Sequence, residues 1–431
     1  MKHNIFFILQ FFFFIFPFFS QEMQFSGSLS ANAGLGLPYT ENSYEFVLGE
    51  MKAQGELSVS EQKSSLYANG FLIFDALKNS ANSLDFVSGN EKTGGSVREA
   101  WFDYTDDFWA VRIGRQISAW GKADGICVTD VLCPKDSTQF AAATYSESRL
   151  GIDAARISLK NETYALDAYW IPFFTPASLP LSNGSPLKKA LFGDIAFSDD
   201  DINLPELKLK NGEYAAKLSA YWSLLDVSLY AFYGFDDEPF ISYSLAADGS
   251  VKLSGNYEKM LMFGSDAAIP LGETVLRLEA AFFPNRHFAT SAESQMSSLL
   301  KGTESEITQK RNQLKALAGI DWMSGSWTIT AQYCVDCVFG NLDSIERRHF
   351  EHLATLTVSK TLFSETLTLS LDGIVRLTDF DSVIKPKASY ALSDQITLWV
   401  EGDIFNKGKN TGEYGRFKDL SCIIIGGKYC F

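Results

Sequence analysis

The chain closes on Cys422-Ile423-Ile424-Ile425-Gly426-Gly427-Lys428-Tyr429-Cys430-Phe431, in which Ile423, Ile425, Gly427, Tyr429 and Phe431 fall on every second residue. A period of two is the mark of a strand with one apolar face. Ending the chain on an aromatic residue of such a strand is how bacterial outer-membrane β-barrels present their closing segment. Gly426, Tyr429 and Phe431 are therefore read as the signal offered to the barrel assembly machinery. At the other end, Lys2 and His3 precede an apolar run over 5–19 and then Ser20-Gln21. That run is short of the roughly 20 residues a spanning helix needs, so 1–20 fits a signal peptide cleaved near Ser20. No cysteine lies near the cut, so a lipid-modified N-terminus is not expected. The expected location is the bacterial outer membrane, reached by export through the inner membrane.

Working inward, 46% of the chain is hydrophobic and 14% aromatic, yet no apolar run after the leader reaches spanning length. The apolar residues must be spread over short alternating strands, as in a transmembrane barrel. The pattern predicts an all-β, up-and-down antiparallel barrel of about 18 strands, with 16 as the alternative. The segments are 25–36, 44–59, 65–76, 96–104, 108–118, 147–159, 163–171, 213–222, 225–235, 257–269, 274–283, 313–322, 326–336, 349–361, 365–378, 383–392, 395–405 and 417–431. Tight turns at 105–107, 160–162, 223–224, 270–273, 323–325 and 393–394 all fall on one side, expected to be periplasmic. The long connections, 77–95, 119–146, 172–212, 236–256 and 284–312, fall on the other, expected to be extracellular, with a short helix within 290–312. A soluble sandwich has no reason to sort its loops this way, so 21–431 reads as one barrel domain.

The faces can be assigned by charge. Leu367, Leu369, Leu371, Val375 and Leu377 alternate with Thr366, Thr368, Ser370, Asp372, Arg376 and Thr378, and Leu276, Leu278, Ala280 and Phe282 alternate with Arg277 and Glu279. A charge facing lipid at the midplane costs about 2–4 kcal/mol, so the charged parity faces inward. The same rule puts Arg112, Gln116, Asp226, Asp321, Glu401 and Asp403 inside and Val227, Leu229, Ala231 and Tyr233 outside. Charges facing one another across the lumen either narrow and polarise a solute path or only brace the wall.

The formal charge of −15 repels phosphate backbones, so nucleic acid is not an expected partner, and it favours cations at the mouth. Of six cysteines, Cys127 and Cys133 share a loop and could close a small ring; free thiols are the alternative. Cys334-x2-Cys337 followed by His349-x2-His352 approaches zinc-finger spacing. On a strand, residues three apart point to opposite faces, so no metal site is expected there. His287 lies near Ser291, but there is no nucleophile elbow and no phosphate-cradling glycine loop. Neither an enzyme nor a cofactor is expected.

The most distinctive internal stretch runs over 97–136: Arg98-Glu99-Ala100-Trp101-Phe102-Asp103-Tyr104, Val111-Arg112-Ile113-Gly114-Arg115-Gln116, Trp120-Gly121, Asp130, and Pro134 with Asp136. This Gly-Arg-Gln, Trp-Gly, Asp, Pro-x-Asp series resembles a poorly characterised, porin-like family of Gram-negative outer-membrane β-barrel proteins. The rest of the chain follows in strand rhythm, with Arg277-Leu278-Glu279-Ala280-Ala281 also similar. Cys133 stands where that family more often has a polar residue such as Asn, and Lys122 where it tends to be acidic. What the resemblance implies is a barrel pore.

Physically, 119–146 suits a loop folded into the barrel. Gly114 and Gly121 allow positive φ or close approach, Trp120 supplies an anchor, and Arg115 and Gln116 can hold carbonyls or carboxylates such as Asp130. A constriction formed by Arg112, Arg115, Gln116, Trp120, Asp130 and Asp136, with Arg277, Glu279 and Arg376 from the wall, is expected to set selectivity. A loop that merely plugs and stiffens the barrel is the plainer reading. The expected function is a channel for passive or substrate-selective transport of small solutes. Tyr169-Trp170-Ile171-Pro172-Phe173-Phe174 could form an apolar entry for hydrophobic ones, or simply part of an interfacial aromatic girdle. The rival from another class is a surface adhesin or receptor whose barrel is a sealed anchor in outer-membrane lipid.

Overall fold

The computed structural model describes residues 22–138, 147–193, 197–245, 249–303, 306–345, 347–409 and 412–431. The leader expected over 1–20, and the end of the loop expected over 119–146, lie outside them. The barrel strands are β1 (Glu22–Gly36), β2 (Phe46–Glu61), β3 (Ser64–Asp75), β4 (Thr93–Thr105), β5 (Trp109–Gln116), β6 (Ile152–Lys160), β7 (Tyr164–Ile171), β8 (Glu213–Trp222) and β9 (Leu225–Phe235). They continue with β10 (Lys259–Leu271), β11 (Thr274–Ala289), β12 (Thr308–Ser324), β13 (Trp327–Val338), β14 (Phe350–Leu362), β15 (Leu367–Arg376), β16 (Asp381–Ala391), β17 (Ile396–Asn406) and β18 (Cys422–Cys430).

Each strand pairs antiparallel with its neighbours in sequence, and β18 pairs with β1 from Ser28 opposite Cys430 to Gly36 opposite Cys422, so 18 strands close into a ring. Closure is what lipid requires, because an open edge would leave backbone donors and acceptors with no water to satisfy them. Phe431 completes the seam: its N–H donates to the Gly27 carbonyl (3.0 Å) and its carbonyl accepts from the Gly27 N–H (2.9 Å). Tight turns at one end rely on left-handed backbone at Gly272 (φ 67) and Gly325 (φ 57).

Through the middle of the strands the outward parity is largely apolar and exposed. Leu229, Phe263, Leu278, Leu371, Val400 and Ile425 form the belt. Tyr164, Trp222, Trp322, Trp327, Tyr390, Tyr429 and Phe431 ring it near the turn end, and Trp170, Tyr214, Tyr233, Tyr333 and Phe350 near the loop end. This is the girdle arrangement of a membrane barrel.

Some boundaries differ from expectation. Residues 147–150 form no strand; Arg149 makes an isolated bridge to Lys135, and β6 starts at Ile152. The closing strand begins at Cys422, because Gly415–Leu420 coils into a 3-10 turn that buries Phe417. The strands β11 and β12 stay paired out to Ala289 and Thr308, which among the described residues leaves only Ala292–Leu300 (α2) as helix in the connecting loop. Another loop helix, α1 (Pro186–Phe192), precedes it in the 172–212 connection.

Candidate pore and its inward loop

From Ile117 to Thr138 the chain leaves β5 and enters the barrel. Trp120, Val128, Val131, Leu132 and Cys133 are buried there against Ile152, Tyr169, Tyr230, Phe232, Met262, Phe283 and Leu317 of the wall from β6 to β12. What would be the hollow of the barrel is, on this side, an apolar core. The anchor is Glu279 on β11. Its Oε2 accepts from the N–H groups of Lys122 (2.8 Å) and Ala123 (2.9 Å), and its Oε1 from the N–H and the hydroxyl of Thr129 (2.7 Å each). Four donors on one buried carboxylate form a charge-assisted clamp. Gly121 makes the approach possible: its φ is 83°, and a Cβ there would lie 2.5 Å from Glu279 Oε1.

Other wall residues hold the same loop. Gln332 on β13 accepts from the Asp124 N–H (3.0 Å) and donates to the Asp124 carbonyl (2.8 Å). Arg277 donates to the Lys122 carbonyl (2.8 Å), pairs with Asp124 (2.7 Å) and contacts Asp321. Tyr230 accepts from the Gly121 N–H (3.1 Å) and donates to Asp266, while its ring packs 4.9 Å from that of Trp120. The sequence does not single out Gln332 or Tyr230, because each is one polar group among many on an inward parity.

The residues expected at the constriction fall into separate places. Asp130 accepts from the Trp120 N–H (3.2 Å) and pairs with Arg149 (2.7 Å), so it braces the loop from within. Asp136 is buried higher up and accepts from the Thr138 N–H (2.9 Å) and hydroxyl (2.5 Å), and burial raises its carboxyl above the usual range. Gln116 faces inward and donates to the Ala154 carbonyl (3.0 Å). Arg115, one residue earlier, shares the outward parity of Ile113 and pairs with Asp153 (3.1 Å) and Asp85 (3.3 Å), away from the lumen. Arg112 faces inward, pairs with Asp103 (2.9 Å) and lies 3.7 Å over the Trp101 ring. Arg376 stands at the loop end amid Asp379 (3.0 Å), Asp381 (3.3 Å), Glu413 (3.6 Å) and Glu351 (3.9 Å). At the seam, Tyr429 and Phe431 point outward with Phe25, whereas Gly426 points inward, where a Cβ would meet Asn32 Oδ1 at 2.3 Å and the Trp399 ring at 2.4 Å.

The loop packs chiefly on the wall from β6 to β12, and the rest of the ring presents polar side chains to the interior. Lys52, Gln54 and Glu56 on β2, Thr357 and Asp372 on β14 and β15, and Lys387, Trp399 and Glu401 on β16 and β17 are half-buried inward side chains. They are paired with one another, Lys387 with Glu401 at 2.8 Å for example, and retain contact with the interior space.

A family model described as "Protein of unknown function (DUF1302)" matches residues 31–398. The chain belongs to this DUF1302 family. Among solved structures, it is similar to OccAB1 of Acinetobacter baumannii (TM-score 0.54, 10% identity, 95% of this chain and 96% of that one). It is similar also to OpdK of Pseudomonas aeruginosa, seen with vanillate (TM-score 0.53, 8% identity, 95% and 98%). At these identities the likeness is one of fold. No curated protein matches the sequence.

The other sequence motifs resolve differently. All six cysteines are free thiols: Cys127 donates to the Asp130 carbonyl (2.9 Å) and Cys133 to the Ser118 carbonyl (3.5 Å), so the 127–133 ring does not form. Cys334 faces the lumen core, whereas His352 is on the lipid-side parity, bonded to the Tyr333 hydroxyl (2.7 Å). His287 contacts Thr308 (2.8 Å), and Ser291 contacts Ser294 (2.9 Å). The 169–174 aromatic stretch divides: Tyr169 is buried under the inward loop, Trp170 and Phe173 are exposed, and Phe174 packs on Phe235 and Tyr257.

Proposed function

We propose that the protein is a porin-like channel of the bacterial outer membrane through which small solutes pass without energy input. The observation that carries this reading is the asymmetry of the lumen: an apolar loop fills one side, and polar, half-buried side chains line the other. A barrel meant only as an anchor gains nothing from lining half its interior with partly hydrated charges, each of which costs desolvation. The lining favours hydrophilic solutes over hydrophobic ones, and OpdK's vanillate gives the size class, a small organic molecule. The partners are outer-membrane lipid around the belt, the barrel assembly machinery at the Phe431 seam, and the solute itself. Export by the leader and transport without catalysis belong to the same proposal.

A second reading, the sealed anchor of a receptor or adhesin, is favoured by the loops that arch over the mouth. The test is single-channel recording in planar bilayers with barrel whose fold is verified by heat-modifiable electrophoretic mobility. Discrete current steps are expected; a folded barrel that never conducts would leave the anchor reading standing.

A further inference from the structure

Arg112 on β5 and Arg156 on β6 are direct cross-strand partners, and both side chains point into the lumen. Like charges opposite each other in a sheet are destabilising unless an anion lies between them. Among the described residues, only Asp103 is shared by the two. Its Oδ2 is 2.9 Å from Arg112 Nε but 3.8 Å from Arg156 Nη2, too long for a hydrogen bond, and its Oδ1 is taken by the Thr105 hydroxyl (2.7 Å). The next inward carboxylate on the Arg156 side, Asp167, is opposite Ser158 and accepts from its hydroxyl. Among the described residues, Arg156 Nε has no acceptor although it is buried, and neither has the indole N–H of Trp101, whose ring lies beneath Arg112. The guanidinium side chains are themselves only partly buried, at 22% and 20% relative exposure, so a solute in the lumen can reach them.

Two forks of N–H donors therefore face the lumen, partly exposed, with one carboxylate between them. A guanidinium fork matches a planar, two-oxygen anion. We propose that Arg112 and Arg156 form a solute-binding step that takes the carboxylate of a small organic acid. This rests on the channel reading only for the solute's onward passage; binding itself does not. Asp103, which already occupies Arg112, keeps such a site weak, as a transit site must be if its solute is to leave.

The test uses the folded full-length barrel in detergent, titrated calorimetrically with sodium benzoate and, separately, with inorganic phosphate. Benzoate is expected to bind the wild type, with affinity falling about tenfold or more in Arg156→Gln through loss of a charge-assisted contact. Arg156→Lys, which keeps the charge, should fall between the two. Heat-modifiable mobility shows whether each variant is folded. Absence of benzoate binding to the wild type, equal affinity in a folded R156Q, or phosphate binding as tightly as benzoate would each overturn the assignment. A barrel that binds benzoate but never conducts would remove the channel reading and leave this site; one that conducts without binding would do the reverse.

Discussion

At the scale of single residues, the inward loop depends on Glu279 and on the glycine that lets it approach. In Gly121→Ala the new methyl would have to share 2.5 Å with a carboxylate oxygen at a backbone angle that only glycine tolerates well. A loss of about 1–3 kcal/mol of loop docking is expected, the cost of strained φ and a weakened clamp. It should be read as larger single-channel conductance and faster proteolysis within the loop; unchanged conductance would mean that the loop is held by its apolar contacts alone. Cys133 reports on the same event. Burial pushes its thiol up to about 12, so at pH 7.5 the thiolate that attacks maleimide is essentially absent, whereas Cys430 is exposed at the turn end. Maleimide is expected to label Cys430 and spare Cys133 in the wild type, and to label both in Glu279→Gln. The Glu279 clamp was not legible as a clamp in the sequence. Its partner Thr129 is 150 residues away, and a Glu on an inward parity looks the same whether it faces water or a loop.

At the scale of the element, the strands were readable because lipid penalises one parity and not the other. The alternation of Leu367, Leu369 and Leu371 with Thr368, Ser370 and Asp372 is the observed division of β15, with Ser370 opposite Lys387 inside the lumen. Leu371→Arg is expected to cost about 2–4 kcal/mol in reversible unfolding from lipid vesicles, and Ser370→Glu well under half that. Equal costs would mean that the outward face is not in hydrocarbon. Where the alternation misleads is at strand ends. Arg115 and Gln116 read as a pair in the Gly-Arg-Gln stretch, yet adjacent residues of a strand must part, and the outward one is pulled to Asp85 and Asp153. The early start expected for the closing strand failed for another reason: Phe417 found burial against Phe405 and Val383 in a loop, so its apolar character said nothing about extended backbone.

At the scale of the whole molecule, the extracellular connections act together as a roof. The loop 172–212 leaves β7, and its helix α1 buries Leu187 against Val383, Phe405 and Phe417, on strands and loop half a turn around the ring. A second apolar cluster joins Leu181 and Phe197 of that loop to Leu253 in the hairpin of Phe240–Leu245 with Val251–Asn256. Gln295 of α2 fastens the hairpin by accepting from the Tyr243 N–H (3.1 Å) and donating to the Ile241 carbonyl (3.1 Å). None of these contacts is part of the strand ladder, so roof and barrel should separate energetically. Leu187→Asp places a charge among three buried apolar groups and should detach α1 from the far wall, because an unpaired buried carboxylate costs more than the docking of one short helix returns. The expected result is a barrel whose heat-modifiable mobility and unfolding midpoint in detergent are unchanged, while neutral sugars enter proteoliposomes several-fold faster than through the wild type. If sugar entry stays the same, the roof does not limit flow, and the narrowest passage lies deeper, between the Glu279-clamped loop and the polar wall that carries Lys387 and Glu401.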